Sequence, residues 1–155
     1  MEQINFENKE ITKLNSEEIK NLIPHREPFL FIDKIRIISE SKAEGYYKIK
    51  ERPKLELNSL LLEFLNQTAG VLFAYFKKPE IQNKIGFLTG YRNVSFNIPQ
   101  DLLENPVDKE FKCVVEIKAK RGNIVIFSGY ITLSDEENKI IEVKESTFAI
   151  VDKNE

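Results

Sequence analysis

The hydrophobic pattern of the chain centres on one stretch, Ser59 to Phe76, with the sequence SLLLEFLNQTAGVLFAYF. Its apolar positions fall on nearly every side of a helix, and a helix that is apolar all round is a buried one. Asn58 or Ser59 is a suitable N-cap, and Pro79 marks the expected end. The pattern therefore predicts one long buried helix around which the rest of the chain is arranged.

The polar residues inside this stretch are not scattered. Glu63, Asn66, Gln67 and Gly70 follow one another at i, i+3, i+4 and i+7, which places them on a single helix face. We call this face the polar seam. The simpler interpretation is that Glu63 lies at the wet edge of an amphipathic helix, but the apolar residues on both sides leave it little solvent. A carboxylate so placed is paired, hydrogen-bonded or functional, and we interpret Glu63 as functional.

Alternating or continuous apolar runs around the helix predict extended segments. They cover Phe29–Ile32 continuing through Ile35–Ser39, Ala43–Lys50, Ile85–Pro99 with possible bulges at Gly86 and Gly90, Phe111–Ala119, Ile124–Leu133 and Ile140–Val151. The last three, joined by tight turns, predict an antiparallel meander. One long helix among five or six antiparallel strands is an α+β arrangement. A curved sheet wrapped around the helix, in a single domain over residues 1–155, accounts for all of it.

Local signals outside these elements are fewer. Residues 1–13 lack a strong pattern and are expected to be weakly structured. Asn15 and Glu18 have the spacing of a capping box, which predicts a short helix that ends before Pro24. Residues 100–108 are expected to form a loop.

Composition and charge exclude several classes of function. The chain has 155 residues, 41% of them hydrophobic and 31% charged, and a net charge of −2 with lysines and glutamates interleaved. This balance gives no electrostatic surface for nucleic acid or an anionic membrane. Glu63 interrupts the best candidate for a membrane span, and the N-terminus has no signal-peptide pattern. The single cysteine, Cys113, excludes an internal disulfide and a cysteine-rich metal site and suits the cytoplasm. We expect no metal and no cofactor.

Two motifs carry a resemblance to a known family. IKNLIPHREPFLFIDKI resembles the opening of the bacterial 3-hydroxyacyl-acyl-carrier-protein dehydratases (FabZ/FabA-like), and LLLEFLNQTAGVL resembles their central helix. GFLTGYRNVSFNIP and the C-terminal strands match the family's later strands in order and length, so the resemblance covers nearly the whole chain. It implies a hot-dog fold, an antiparallel sheet wrapped around one central helix. It also implies a thioester substrate on acyl carrier protein or coenzyme A.

The chain departs from this family in one loop. In the family, a His-Phe-Pro-Gly loop before the helix supplies a histidine that acts with the helix glutamate, one from each subunit of a dimer. The matching loop here is ERPKLELNS, with neither histidine nor glycine. Glu63 and Gln67 match the family's helix residues, whereas its catalytic histidine has no counterpart. The chain is thus similar to a divergent branch associated with aryl-polyene and flexirubin-type pigment clusters. Because the strand edges of such a sheet are open and the polar seam needs a cover, we expect a homodimer, or a heterodimer with another hot-dog protein, that shares a continuous sheet. A higher oligomer stays open.

Removal of water from a 3-hydroxyacyl thioester needs a base for the proton next to the carbonyl and an acid for the departing hydroxyl. Glu63 is the candidate acid, and His25, the only histidine, is the candidate base. In the family this histidine belongs to the motif but is not catalytic. A ring that binds a carbonyl and stabilises its proline-flanked turn is therefore the structural alternative. Gln67, Gly70 and Asn66 are the predicted substrate-binding residues: Gln67 orients the Glu63 carboxyl, and Gly70 allows close approach of the acyl chain.

Three functions from different classes stay open at this point. The first is the dehydratase, and the second is an acyl thioesterase whose helix carboxylate activates water. The third is a non-catalytic subunit whose partner supplies the missing histidine. Arg26 and exposed lysines are candidate contacts for an acidic carrier protein. Cys113 is expected to be a packing residue, and four tyrosines are expected in the core or an interface: Tyr46, Tyr47, Tyr75 and Tyr91.

Overall fold

The computed structural model describes residues 11–81 and 84–152. In these ranges seven antiparallel strands form one sheet in the order β1-β2-β3-β5-β6-β7-β4. The elements are β1 (Thr12–Leu14), α1 (Ser16–Lys20), β2 (Lys34–Ile37), β3 (Lys42–Lys48), α2 (Leu57–Ile81), β4 (Lys84–Phe96), α3 (Gln100–Glu104), β5 (Glu110–Arg121), β6 (Ile124–Leu133) and β7 (Ile141–Asp152).

The long helix α2 lies against the sheet and contacts β3, β4, β5 and β6. Large side chains from both layers, among them Phe64, Phe111 and Phe127, are fully buried between them. Gly45 on β3 lets the helix approach closely, because a Cβ there would lie 2.9 Å from Thr68 Cγ2. The predicted α+β class, with an antiparallel sheet and one long packed helix, is confirmed.

The bounds predicted for the central helix are wrong at both ends. The helix begins at Leu57, and the Glu56 carbonyl accepts its first hydrogen bond, so Asn58 and Ser59 lie inside the helix rather than at its cap. It also continues past Pro79 to Ile81. A proline lacks the N–H that bonds the carbonyl four residues back, and its ring crowds that carbonyl. Because only two helical residues follow Pro79, few further helical bonds depend on this position.

The segment Phe29–Ile32 is not the predicted strand. The first strand after α1 is β2, which begins at Lys34. The carboxamide of Gln67 on α2 instead donates to the Phe29 carbonyl at 2.8 Å and accepts from the Phe31 N–H at 2.8 Å. A helix side chain thus takes the place of a neighbouring strand. The apolar run is explained by packing, because Leu30, Phe31 and Ile32 are buried.

The C-terminal meander is confirmed, with β5, β6 and β7 paired in succession. The register of β4 with β7 shifts between Leu88 and Gly90, so Gly90 lies at the predicted irregularity, whereas Gly86 pairs regularly with Ile150. The predicted loop at 100–108 is wrong in part, because its first half is α3. This short helix follows Pro99 and is anchored by the buried Leu102.

At the start of the chain the capping box is confirmed. The Asn15 side chain accepts from the Glu18 N–H, and the Glu18 side chain accepts from the Asn15 N–H. Thr12–Leu14 pairs with β2, so the weak structure predicted up to residue 13 is wrong for this strand. Residues 1–10, to which the same prediction applied, lie outside the described residues.

Candidate active site

The polar seam of α2 faces a cavity of about 370 Å³ between the helix, the segment after α1 and strands β4 and β7. Glu63, Asn66, Gln67 and His25 line one part of it, and Gly70 lies next along the helix. Aromatic and aliphatic side chains form most of the remaining wall: Phe73, Phe127, Phe148, Ile150, Leu22 and Ile23. The cavity therefore combines an apolar chamber with a small cluster of polar groups, as small-molecule sites do.

The turn that carries His25 is fixed by its neighbour Arg26. The Arg26 guanidinium donates to three carbonyls, those of Lys20 at 3.0 Å, Ile23 at 2.9 Å and His25 at 2.7 Å. These bonds tie the chain after α1 into one conformation and direct the imidazole toward α2. The sequence suggested that the His25 ring itself stabilises the turn, but Arg26 has that role. Arg26 is thereby engaged within the chain, which weakens its case as a carrier-protein contact.

The structure brings the two predicted catalytic residues together within one chain. His25 Nε2 lies 3.6 Å from Glu63 Oε1. The exposed fraction is 37% for the His25 side chain and 39% for that of Glu63. The prediction that the seam leaves Glu63 almost no solvent is therefore wrong for this chain, because the seam borders a cavity instead of a packed strand.

The surroundings of His25 favour its neutral form. Burial lowers the pKa of His25 below its usual 6.5; the Glu63 carboxylate opposes this shift and Arg26 adds to it. His25 Nδ1 is buried and has no hydrogen-bond partner in the described part of the chain. A neutral imidazole with one nitrogen beside a carboxyl group is suited to accept a proton near neutral pH.

Gln67 connects the site to the Phe29–Phe31 segment. Its side chain is buried, and its Nε2 lies 3.3 Å from Glu63 Oε1 as well as 2.8 Å from the Phe29 carbonyl. This geometry agrees with the predicted orientation of the Glu63 carboxyl by Gln67. Gly70 lines the cavity, and a Cβ there would meet only Ile23 Cγ2 at 3.9 Å, so the missing side chain enlarges the chamber.

Asn66 has a partner that the sequence did not indicate. Its Nδ2 donates to the Tyr91 hydroxyl at 2.6 Å, while its Oδ1 is buried without a partner among residues 11–81 and 84–152. Burial raises the pKa of Tyr91; the bond from Asn66 opposes this shift and the charge of Glu63 adds to it. No signal in the sequence distinguished Tyr91 from the other tyrosines, because the contact joins a helix to a strand.

Other candidate residues lie away from the cavity. Cys113 is fully buried and donates to Thr68 Oγ1 at 3.0 Å, and burial raises the pKa of its thiol to about 12, as fits a packing residue. Tyr47 packs against Phe31 and Phe64, with ring centroids 5.9 and 6.0 Å away. In the part of the chain that the structure describes, no three acidic, histidine or cysteine side chains are grouped to hold a metal ion. Over the same residues, none of the helices has the length and hydropathy needed to cross a membrane.

Comparison with known proteins gives sequence relatives over nearly the whole chain. The family model of the ApeP-like dehydratases (ApeP dehydratase) matches residues 17–153. The 3-hydroxyacyl-[acyl-carrier-protein] dehydratase FabZ of Bacillus cereus (strain AH187) is 33% identical over 153 residues, which cover 92% of this chain and 99% of that protein. FabZ of Clostridium botulinum (strain Hall) is 33% identical over 110 residues, 61% of this chain and 74% of its own length.

Solved structures share the fold at lower identity. The dehydratase heterocomplex ApeI:P from Xenorhabdus doucetiae contains a chain with a TM-score of 0.70 and 14% identity, covering 88% of this chain and 93% of that one. A mutant of the fluoroacetyl-CoA-specific thioesterase FlK aligns with a TM-score of 0.55 at 8% identity, over 73% of this chain and 87% of the other. The chain therefore has the hot-dog fold and belongs to the ApeP-like dehydratases, a divergent branch of the dehydratase family that includes FabZ.

Proposed function

We propose that this protein is a hydro-lyase that removes water from 3-hydroxyacyl thioesters on acyl carrier protein, in fatty-acid or polyene-type biosynthesis, with His25 and Glu63 as its catalytic pair. The observation that carries the proposal is the 3.6 Å separation of His25 Nε2 and Glu63 Oε1 beside an apolar cavity. The family supports the reaction class. A cytoplasmic location, expected from the sequence, belongs to the same proposal.

The reaction follows from the positions of these groups. The acyl chain occupies the apolar chamber, and its C2 and C3 lie beside the His25–Glu63 pair, within reach of both groups. His25 Nε2 takes the proton from C2 while the Glu63 carboxylic acid gives its proton to the C3 hydroxyl. The C3–O bond breaks, the C2=C3 double bond forms, and water leaves. The imidazolium and carboxylate that result are close enough for His25 to return its proton to Glu63, which restores the starting state.

An exposed edge strand of the sheet supports the presence of a second subunit. Strand β4 is an edge of the sheet and exposes Leu88 and Phe96, and exposed strand edges favour pairing with another chain. We propose a homodimer or a heterodimer with another hot-dog protein, sharing a continuous sheet; the ApeI:P structure is described as a heterocomplex. A stable monomer by light scattering at micromolar concentration would contradict this. Larger assemblies and a coenzyme A thioester as alternative substrate belong to the same proposal.

The proposal is tested by incubating the purified protein with 3-hydroxyacyl carrier protein and following the mass of the acyl group. Loss of one water, abolished in Glu63→Gln, is the expected result. Release of the carrier thiol without loss of water would instead identify a thioesterase. Dehydration that needs a second hot-dog protein, and persists in His25→Ala, would identify the partner-dependent subunit. The loop without histidine and the heterocomplex fold relative are the observations that favour this third function.

A further inference from the structure

The elimination places negative charge on the thioester carbonyl oxygen, and the His25–Glu63 pair does not neutralise that charge. His25 takes the proton from C2 and Glu63 gives a proton to the C3 hydroxyl, so neither group is available to the carbonyl oxygen. Donors aimed at such an oxygen supply one of the larger contributions to catalysis in acyl chemistry. The chain therefore needs a further hydrogen-bond donor close to Glu63.

We infer that the Tyr91 hydroxyl, positioned by Asn66, donates the hydrogen bond that holds the thioester carbonyl oxygen. This inference rests on the proposed function and adds a catalytic residue to it. Asn66 lies one turn beyond Glu63 on α2 and lines the cavity, and the Tyr91 hydroxyl, which comes from β4, lies 2.6 Å from Asn66 Nδ2. The Tyr91 hydroxyl is therefore one hydrogen bond away from the cavity wall beside Glu63.

The hydrogen-bond count of the pair shows why a donor is free. Asn66 Nδ2 donates to the phenol oxygen of Tyr91 at 2.6 Å, so the phenol hydrogen has to find another acceptor. No acceptor for that hydrogen occurs in residues 11–81 and 84–152, and Asn66 Oδ1 is buried and unpaired there as well. If the carboxamide is turned over, Tyr91 donates to Asn66 and the amide hydrogens become the unused donors. Either orientation leaves at least one donor for a ligand.

The electrostatic setting keeps this donor protonated. Partial burial raises the pKa of Tyr91, and the bond from Asn66 opposes this shift without reversing it. A bond accepted from Asn66 also polarises the phenol and strengthens the bond that it donates. A neutral phenol next to Asn66 can therefore stabilise an enolate oxygen without giving up its proton.

The direct test is the infrared carbonyl stretch of a bound product thioester, crotonyl-pantetheine labelled with 13C at the carbonyl. This product has no hydroxyl, so its carbonyl is the only acyl oxygen that Tyr91 can reach. We expect a lower stretching frequency in the wild-type complex than in Tyr91→Phe, which lacks only the hydroxyl. Asn66→Asp keeps every heavy atom in place but turns the partner into an acceptor that captures the phenol hydrogen, so it should give the same loss. Tyr130→Phe, on β6 with Lys139 over its ring, is the matched control and should behave as wild type.

Measurements of kcat and KM distinguish a loss of catalysis from a loss of folding. Tyr91→Phe should lower kcat about 10²- to 10³-fold, the range seen when one oxyanion donor is removed, with KM nearly unchanged. An equal carbonyl stretch in wild type and Tyr91→Phe, or a wild-type kcat in that variant, would overturn the inference while leaving the proposed dehydration intact. If Tyr91→Phe does not fold, Asn66→Asp decides by the same readouts. Wild-type protein that neither binds the thioester nor turns it over would overturn the proposed function and this inference with it.

Discussion

Replacing Gln67 by leucine tests how the site is held together. The Gln67 carboxamide makes a 2.8 Å bond to each of the Phe29 carbonyl and the Phe31 N–H, and it is almost fully buried. Leucine has a similar volume but no polar atoms, so both backbone groups lose their partner. The bond to the Phe31 N–H is buried, whereas the bond to the Phe29 carbonyl is only partly buried, so the unpaired N–H stays dry while the carbonyl can reach water. The main penalty therefore comes from the Phe31 N–H.

The expected magnitude follows from these two bonds. A buried donor left unpaired costs about 1–3 kcal/mol, and an ordinary hydrogen bond contributes roughly 0.5–1.5 kcal/mol. We expect Gln67→Leu to lower the free energy of unfolding by about 2–4 kcal/mol, which corresponds to a fall in Tm of about 5–15 °C for a domain of this size. Urea unfolding measures the change, and an unchanged m-value would show that the folded state keeps its compactness. Gln100→Leu is the matched control, because that side chain is exposed and its one side-chain hydrogen bond within residues 11–81 and 84–152 is to Glu104 at 3.1 Å. A Gln67→Leu variant within about 0.5 kcal/mol of wild type would refute the role of this residue.

Two further predictions concern His25 and the close approach of Gly45 on β3 to Thr68 on α2. The only histidine gives one Cε1–H proton resonance, and its titration midpoint should lie below 6.5 and fall further in Glu63→Gln, because the carboxylate raises the pKa of His25. Since burial favours neutral His25, its contribution to stability is complete above pH 6.5 and is lost as pH falls through the folded-state pKa; a midpoint above 6.5 would contradict this account. Gly45→Ala should destabilise by about 1–3 kcal/mol, because its Cβ would overlap Thr68. In Gly90→Ala the Cβ meets nothing within 4 Å and urea unfolding should be nearly unchanged; equal values for the two variants would show that the contact is not tight.

The sequence predicted the parts of the fold that depend on local periodicity. The alternation in β5 and β6 and the capping box at Asn15 each require only near neighbours along the chain, and the structure confirms them. The face shared by Glu63 and Gln67 is a consequence of helical geometry and was predictable for the same reason.

What the sequence did not predict depends on side chains that meet across elements. The Phe29–Ile32 run resembles a strand, and only the Gln67 carboxamide, 36 residues from Phe31, explains why it is not one. The Asn66–Tyr91 bond spans 25 residues and joins a helix to a strand, so no periodicity could indicate it. His25 was identified as a candidate by elimination, but its separation from Glu63 could come only from the structure.

The measurement that tests the central claim most directly is the single-turnover rate of enoyl formation from 3-hydroxyacyl carrier protein by this chain alone. The rate should be measured for wild type, Glu63→Gln and His25→Ala, with folding of each checked by its thermal midpoint. If the 3.6 Å pair in one chain carries the reaction, wild type forms the enoyl product while both variants, still folded, lose at least about 10²-fold in rate. A His25→Ala variant that dehydrates the substrate at the wild-type rate would show that His25 is not the base and would contradict the account.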